Sequence, residues 1–512
     1  MPSSAGGSRG RASRRRGPRQ VTTGQPAVEP TLRARLPNLS ACRCPGQPPL
    51  PPASAGRLNL PRGRRRRYPV RFPVSAGASF GRTRLASTTR RAPMFSFLDA
   101  WQPTVFPAVC FLVWLPVFVI CPAHRARAFF IWTSIATILF VAGPILGPGL
   151  LLINIGGYVV VEAVARTPLA RGPLFFVTLL ALHAGYWACF RLLIPAGYCE
   201  LLPDYAAGTY VLFSGIGLTF FRLVSYFWER VRRRRPPLGP GDYLAHMLFF
   251  PQFRHGPIER AHEFAPRLRD ARCNWQPHDV TVGLARVALG ALVLVGLRQA
   301  IRYGVPAAYK NNPYRLLMEL FEDPTSLSLP ALLLLLHAPA AALYALESAS
   351  AHLQLGVARA FGVRGSENFR YPFLAANPAD VWRRWNITLS FWLRDYAFFP
   401  LCRWRALRHV SIVLTFVYAG LLHGLAWRHA VWGVYMGLAV LLYVGLFERR
   451  RNPTAAPAAQ PHPVRAALGR LLARLATIHV LCIGGLIFFD PRHAGARVLY
   501  HYGRLLLGLV GF

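Results

Sequence analysis

Val410-Ser-Ile-Val-Leu-Thr-Phe-Val-Tyr-Ala-Gly-Leu-Leu-His-Gly-Leu-Ala-Trp427 is apolar along its length and has no titratable group except Tyr418 and His423. A helix through a bilayer needs about 20 mainly apolar residues, so this stretch reads as a membrane span. An ionisable side chain at membrane depth is costly and usually faces a cavity or a pathway. Imidazole is also the side chain best suited to moving a proton near neutral pH. His423 is therefore either satisfied by a neighbouring helix or a proton-transfer group, and the sequence around it bears on the choice.

The chain as a whole is 53% hydrophobic with a mean hydropathy of +0.29, too apolar for an ordinary soluble domain. Apolar runs recur along most of it, ended by Arg clusters, as in a polytopic membrane protein. The expected spans are Thr104–Cys121, Ala128–Leu146, Leu150–Ala165 after a break at Gly147-Pro-Gly, Pro173–Ile194 and Ala207–Trp228. Val280–Ile301, Leu327–Leu346, Val410–Trp427, Ala430–Phe447, Leu475–Phe489 and Val498–Phe512 complete the set. Tyr243–Phe253 is too short to cross and reads as re-entrant, which needs a cover of protein or water. Glu347–Leu401 is mixed and does not read as a plain span. The expectation is an all-α fold with about 10–12 membrane helices plus re-entrant segments. Arg230–Arg235 and Glu448–Arg451 place their loops in the cytoplasm by the positive-inside rule.

The first 93 residues differ in kind. They hold 20 Arg and one acid, Glu29, and are rich in Pro, Gly and Ser. Such a segment has too little apolar surface to form a core and is expected to be disordered. A basic arm for anionic lipid or nucleic acid and a targeting peptide are the functional readings. The simpler reading is an extension upstream of a true start at Met94, leaving residues 94–512 as the membrane domain. Of the 60 basic residues only Lys310 is Lys, a bias read as coding rather than chemistry. The nine Cys spell out no metal or disulfide framework.

Two polar elements interrupt the apolar body. Trp382-Arg-Arg-Trp-Asn-Ile-Thr-Leu-Ser-Phe-Trp-Leu-Arg-Asp-Tyr396, read as one helix, puts Trp382, Trp385, Leu389, Trp392, Leu393 and Tyr396 on one face. Arg383, Ser390 and Arg394 fall in an adjoining sector with Asn386 at its boundary, suited either to a surface anchor or to lining a substrate cavity. Gln252-Phe-Arg-His-Gly-Pro-Ile-Glu-Arg260 is the second, with a turn at Gly256-Pro257. His255 within it is a base or, more simply, a solvated loop histidine. The sequence has no phosphate-cradling Gly loop, no His-Glu-x-x-His and no Gly-x-Ser-x-Gly.

Together these pieces resemble the membrane-bound O-acyltransferase family, in particular its bacterial branch of alginate O-acetyltransferases and teichoic acid D-alanyltransferases. Phe250-Pro-Gln-Phe-Arg-His-Gly-Pro-Ile-Glu-Arg260 is similar to that branch's Phe-Pro…Gly-Pro-Ile-x-Arg. Leu355–Gly362 with Glu367-Asn-Phe-Arg-Tyr-Pro372 resembles its Ile-Gly-Leu-Ala-Arg…Glu-Asn-Phe-x-x-Pro-Tyr. Val381–Tyr396 resembles Phe-Trp-Arg-Arg-Trp-His-Ile-Ser-Leu-Ser-x-Trp-x-Arg-Asp-Tyr, and Leu421-Leu-His-Gly-Leu-Ala-Trp427 with Trp432-Gly433 resembles Leu-Trp-His-Gly-Ala-x-Trp…Trp-Gly. Asn386 stands where the bacterial branch usually has His, as it does in other branches. Ser348-Ala-Ser-Ala-His352 replaces a Ser-Gly-Tyr-Ser-Asp signature, with His352 at the Asp.

The resemblance implies an enzyme that moves an acyl group from a cytoplasmic thioester to a hydroxyl across the membrane. It implies no bound cofactor or metal. The donor is acyl-CoA, acetyl-CoA in the first instance, or an acyl carrier protein thioester. A cell-surface or exported glycan is the expected acceptor, in a bacterial cytoplasmic membrane, with lipid around the protein and a periplasmic esterase-like partner or acyl carrier protein beside it. Nucleic acid is not among the expected partners. His423 is the candidate base, and Asn386 orients the thioester or donates to the oxyanion. Arg383, Arg384, Trp385, Ser390, Arg394 and His255 are candidate substrate contacts, with pairing of the arginines to Asp380 and Asp395 as the competing role. Lipid or protein acylation, D-alanyl transfer, and a non-catalytic transporter or scaffold are the alternatives.

Overall fold

The computed structural model describes residues 106–193, 213–253, 256–307, 313–448, 462–489 and 495–509. The Arg-rich tail, the Met94 start and His255 lie outside these residues. Every regular element among them is helical. Five helices are long and apolar enough to cross a membrane, and three more are shorter apolar helices.

The first helix, α1 (Phe106–Ile120), is apolar throughout. The second, α2 (Ala126–Arg166), is assigned as one continuous element, yet it covers two expected spans. A Cβ on Gly147 would lie 3.0 Å from the Leu139 Cα, whereas eight residues of straight helix separate two positions by about 12 Å. Ile138 and Leu150 also share one buried cluster with Leu248. The chain therefore doubles back between Leu139 and Gly147, ahead of the expected break at Gly147-Pro-Gly, which makes two legs. Then come α3 (Pro173–Leu193) and α4 (Leu218–Val231), the latter entered by a π-turn at Phe213–Gly217.

Helix α5 (Pro240–Leu248) ends in a 3-10 turn at Phe250–Gln252 and is the short apolar run expected to be re-entrant. Protein covers it: Tyr243, Ala245, Met247, Leu248 and Phe249 are all buried. Its C-terminal carbonyls are met by the buried Arg222 of α4, whose guanidinium donates to His246 O at 2.9 Å and to Met247 O at 3.1 Å. A helix end inside a protein needs such donors, because its last carbonyls have no partner within the helix. A knot of rings closes over α5, with Phe118, Phe130, Phe249, Phe250, Phe264 and Phe361 in one buried cluster.

Helix α6 (Ala261–Arg269) is polar on its outer side. Helices α7 (Pro277–Gly304) and α9 (Leu329–Ala360), with α8 (Pro313–Glu322) between them, follow. Helices α7 and α9 cross at two glycines: a Cβ on Gly283 would lie 2.6 Å from Gly356 O, and one on Gly356 would lie 2.7 Å from Gly283 O. Only glycine permits backbones that close. Helix α9 corrects one expectation. Residues 347–360 were expected to be mixed but continue the helix, since Ala and Leu are strong helix formers and carry it past the polar residues.

The second correction concerns Trp382–Tyr396, expected as one amphipathic helix. The structure breaks it into α10 (Pro378–Trp382), capped by the Asn377 side chain, and α11 (Ile387–Leu393), followed by a π-turn at Arg394–Phe398. Asn386 sits between them at φ 41°, in the left-handed region, where a helix cannot continue and where Asn is among the few side chains tolerated. The single aromatic face predicted by constant rotation is therefore not one face. Helices α12 (Ser411–His423), α13 (Trp427–Tyr443), α14 (Pro463–Phe489) and α15 (Gly495–Leu509) complete the fold.

Candidate active site

Three sequence segments that lie far apart are tied together at Thr388. Its hydroxyl donates to Asn368 Oδ1 at 2.6 Å and accepts from the Ile258 N–H at 2.9 Å. The Ile387 N–H donates to the Asn368 carbonyl at 2.9 Å. Alongside, Glu259 accepts from the Ser366 N–H at 2.6 Å and from its hydroxyl at 3.0 Å, while Arg260 pairs with Asp395 at 3.1 Å. Buried polar groups must be satisfied in this way. The result is that Gly256–Arg260, Ser366–Asn368 and Asn386–Asp395 form one polar seam inside an apolar body.

That seam lies against α12. At one end the Trp382 ring packs 5.1 Å from Phe416 and 5.9 Å from Trp432. At the other, Trp392 is buried, donates its Nε1–H to Ser225 Oγ at 2.8 Å and stacks on Tyr418 at 6.3 Å. Asn386 is carried between these two anchors.

His423 is the last residue of α12, next to Gly424. Its ring meets Phe488 of α14 at 5.2 Å and Trp432 of α13 at 6.4 Å, both edge to face. The helix that carries it is fixed from α3. Tyr186 donates to Leu422 O at 3.0 Å, and the Tyr418 hydroxyl donates to His183 Nε2 at 2.8 Å. His183 Nδ1 in turn donates to Leu179 O at 2.7 Å, which fixes the tautomer and leaves Nε2 as acceptor. On the other side, His429 Nδ1 donates to Gly424 O at 2.9 Å. A Cβ on Gly424 would lie 2.6 Å from that nitrogen, so the close approach requires glycine there.

The other predicted contacts divide. Arg384 pairs with Asp380 at 2.8 Å and Arg394 with Asp395 at 2.9 Å, the pairings foreseen as their competing role. Trp385 packs among Tyr344, Phe369 and Phe373 at 5.8, 5.8 and 6.4 Å. The Ser390 hydroxyl reaches back to Trp385 O at 3.3 Å, and Arg383 is exposed. These side chains thus have fold-building partners beside any substrate role. His352 lies on α9 facing α7, where the Gly290 position approaches its Cβ. Sequence reasoning missed His183, Tyr186 and His429. The available signal for the first two was a pair of polar rings three residues apart inside the apolar run Pro173–Leu193.

Apolar helices of membrane length, closed around a polar seam and a histidine at a helix end, define a multi-pass membrane protein with the makings of an enzyme. The model of the membrane-bound O-acyltransferase family matches residues 178–483, more than half of the sequence and including every element of the seam. The chain belongs to that family and is an O-acyltransferase. It is 25% identical over 310 residues to the teichoic acid D-alanyltransferase of Bacillus subtilis, a match that covers 56% of this chain and 71% of that protein. It is 28% identical over 206 residues to the peptidoglycan O-acetyltransferase of Helicobacter pylori, covering 40% and 37%. To a probable alginate O-acetylase of Pseudomonas aeruginosa it is 27% identical over 272 residues, covering 50% and 48%. It thus spans less than half the length of these last two relatives.

Proposed function

We propose that this chain transfers an acyl group, acetyl in the first instance, from a thioester donor to a hydroxyl of a cell-surface or exported polysaccharide. The donor is acyl-CoA or an acyl carrier protein, and the setting is a bacterial cytoplasmic membrane. The observation that carries this reading is His423, held at the end of α12 by Tyr186 and Tyr418 and walled by Trp432 and Phe488. A thioester is already activated, so the chemistry needs a base for the hydroxyl proton and a donor for the oxyanion. His423 takes the proton as the hydroxyl oxygen bonds to the acyl carbon. Asn386 donates to the tetrahedral oxyanion. Collapse breaks the C–S bond, and the proton held on the imidazole passes to the departing thiolate. The aromatic wall limits water at the reacting carbon, which protects the thioester from hydrolysis.

The test is incubation of the purified protein with labelled acetyl-CoA and a hydroxyl-bearing polysaccharide. Label in the polysaccharide supports the reading. No label in the polysaccharide, with the acetyl-CoA unconsumed, contradicts acetyl transfer from coenzyme A.

The larger share of the teichoic acid D-alanyltransferase that the chain covers favours a second reading, D-alanyl transfer from a carrier protein. Offering a D-alanyl carrier thioester in parallel separates the two.

A further inference from the structure

The carbonyls of the two residues on either side of His423 in sequence are both held by side chains from other helices. Tyr186 of α3 donates to Leu422 O, and His429 of α13 donates to Gly424 O. Of the two peptide planes that flank His423, the first is held by Tyr186 and the second by the Gly424 N–H, which donates to Leu421 O at 3.2 Å, while His429 holds the next plane at the Gly424 carbonyl and so fixes the turn on which the helix end rests. His429 is 3% exposed, and its ring packs 5.0 Å from Phe488, the ring that also bears on His423. There is no slack in the junction, because the His429 carbonyl lies where a Cβ on Gly420 would stand. A carbonyl only accepts, so Nδ1 of His429 carries the proton and Nε2 the lone pair. Nε2 meets no hydrogen-bonding partner among the described residues.

We infer that His429 is a positioning residue: through its Nδ1–H on the Gly424 carbonyl it fixes the His423 imidazole in the orientation that transfer needs. The inference rests on the proposed role of His423. Asn in place of His presents an amide N–H near the position of Nδ1, whereas Gln presents one near Nε2. The two variants therefore separate a hold on the Gly424 carbonyl from a use of the Nε2 lone pair.

The experiment compares wild type with His429→Ala, His429→Asn, His429→Gln and His423→Gln in steady-state acyl transfer from acetyl-CoA. Each variant is first checked for monodispersity and thermal midpoint in detergent. His429→Ala lowers kcat by about 10–100-fold, the effect of misplacing a reacting group by an ångström or less. Its KM for the thioester stays within about twofold, since ground-state binding is untouched. His429→Asn restores most of kcat and His429→Gln does not. Rescue by Gln rather than Asn, or an unchanged kcat in His429→Ala, overturns the inference. Full turnover by His423→Gln removes the underlying reading instead, and is read independently of the His429 series.

Discussion

Asn386 combines two demands that the sequence alone does not separate. Its backbone is left-handed at φ 41°, a conformation that costs an ordinary residue about 1–2 kcal/mol, and its amide is the proposed oxyanion donor. Asn386→Ala confounds the two, whereas Asn386→Gly relaxes the backbone and removes only the amide. Turnover of Asn386→Gly is expected to fall about 100-fold, as for loss of an oxyanion donor, with Asn386→His partly tolerated. Wild-type turnover by the glycine variant would reduce Asn386 to a backbone position. Thr388→Val leaves the buried Ile258 N–H without its acceptor and is expected to cost about 1–3 kcal/mol, read as a lower thermal midpoint in detergent. An unchanged midpoint would mean that the seam is not a structural joint.

His262 gives a pH-dependent counterpart. Its Nδ1 meets Glu229 at 3.0 Å and its Nε2 meets Pro236 O at 2.9 Å. Burial alone would lower its pKa, but these two acceptors and the Glu229 charge outweigh it and hold the imidazolium above its ordinary range. A raised pKa adds stability that is complete below the unfolded value of about 6.5 and is lost as pH rises through the folded one. Hydrogen exchange across residues 232–238, corrected for its intrinsic pH dependence, should therefore rise above that pH in wild type and not in His262→Gln. Equal profiles would contradict the assignment. His423 was legible as a candidate, not as a role, because a titratable group stands out in an apolar run. His183 and His429 were not, because their meaning lies in partners such as Tyr418, 235 positions away.

At the level of elements, length and apolarity were enough to locate the long helices, but the expected break at Gly147-Pro-Gly falls just after the reversal of α2 between Leu139 and Gly147. The break in Trp382–Tyr396 was hidden, since a helical wheel assumes constant rotation and one left-handed residue resets it. The extension of α9 to Ala360 was hidden for the opposite reason: polar side chains there face protein rather than end the helix. The α7–α9 crossing was also invisible, because Gly283 and Gly356 lie on separate runs. Gly356→Leu should push the two backbones apart and cost about 1–3 kcal/mol or more, seen as a fall in thermal midpoint. A midpoint equal to wild type would refute that close contact.

Across the whole molecule, the helices of the apolar body bring Gly256–Arg260, Ser366–Asn368, Asn386–Asp395 and His423 into one neighbourhood. The motif resemblance named those segments, and the structure supplies the joints between them, chiefly Thr388, Glu259 and the Trp382 and Trp392 anchors. Family membership makes the chain an O-acyltransferase. The most direct measurement is label transfer from acetyl-CoA to a polysaccharide hydroxyl by purified wild type and by His423→Gln, with membrane insertion and detergent stability matched. The account predicts transfer by wild type and none above background by the variant. Equal transfer by both would contradict it, leaving His423 a packing residue at the end of an apolar helix.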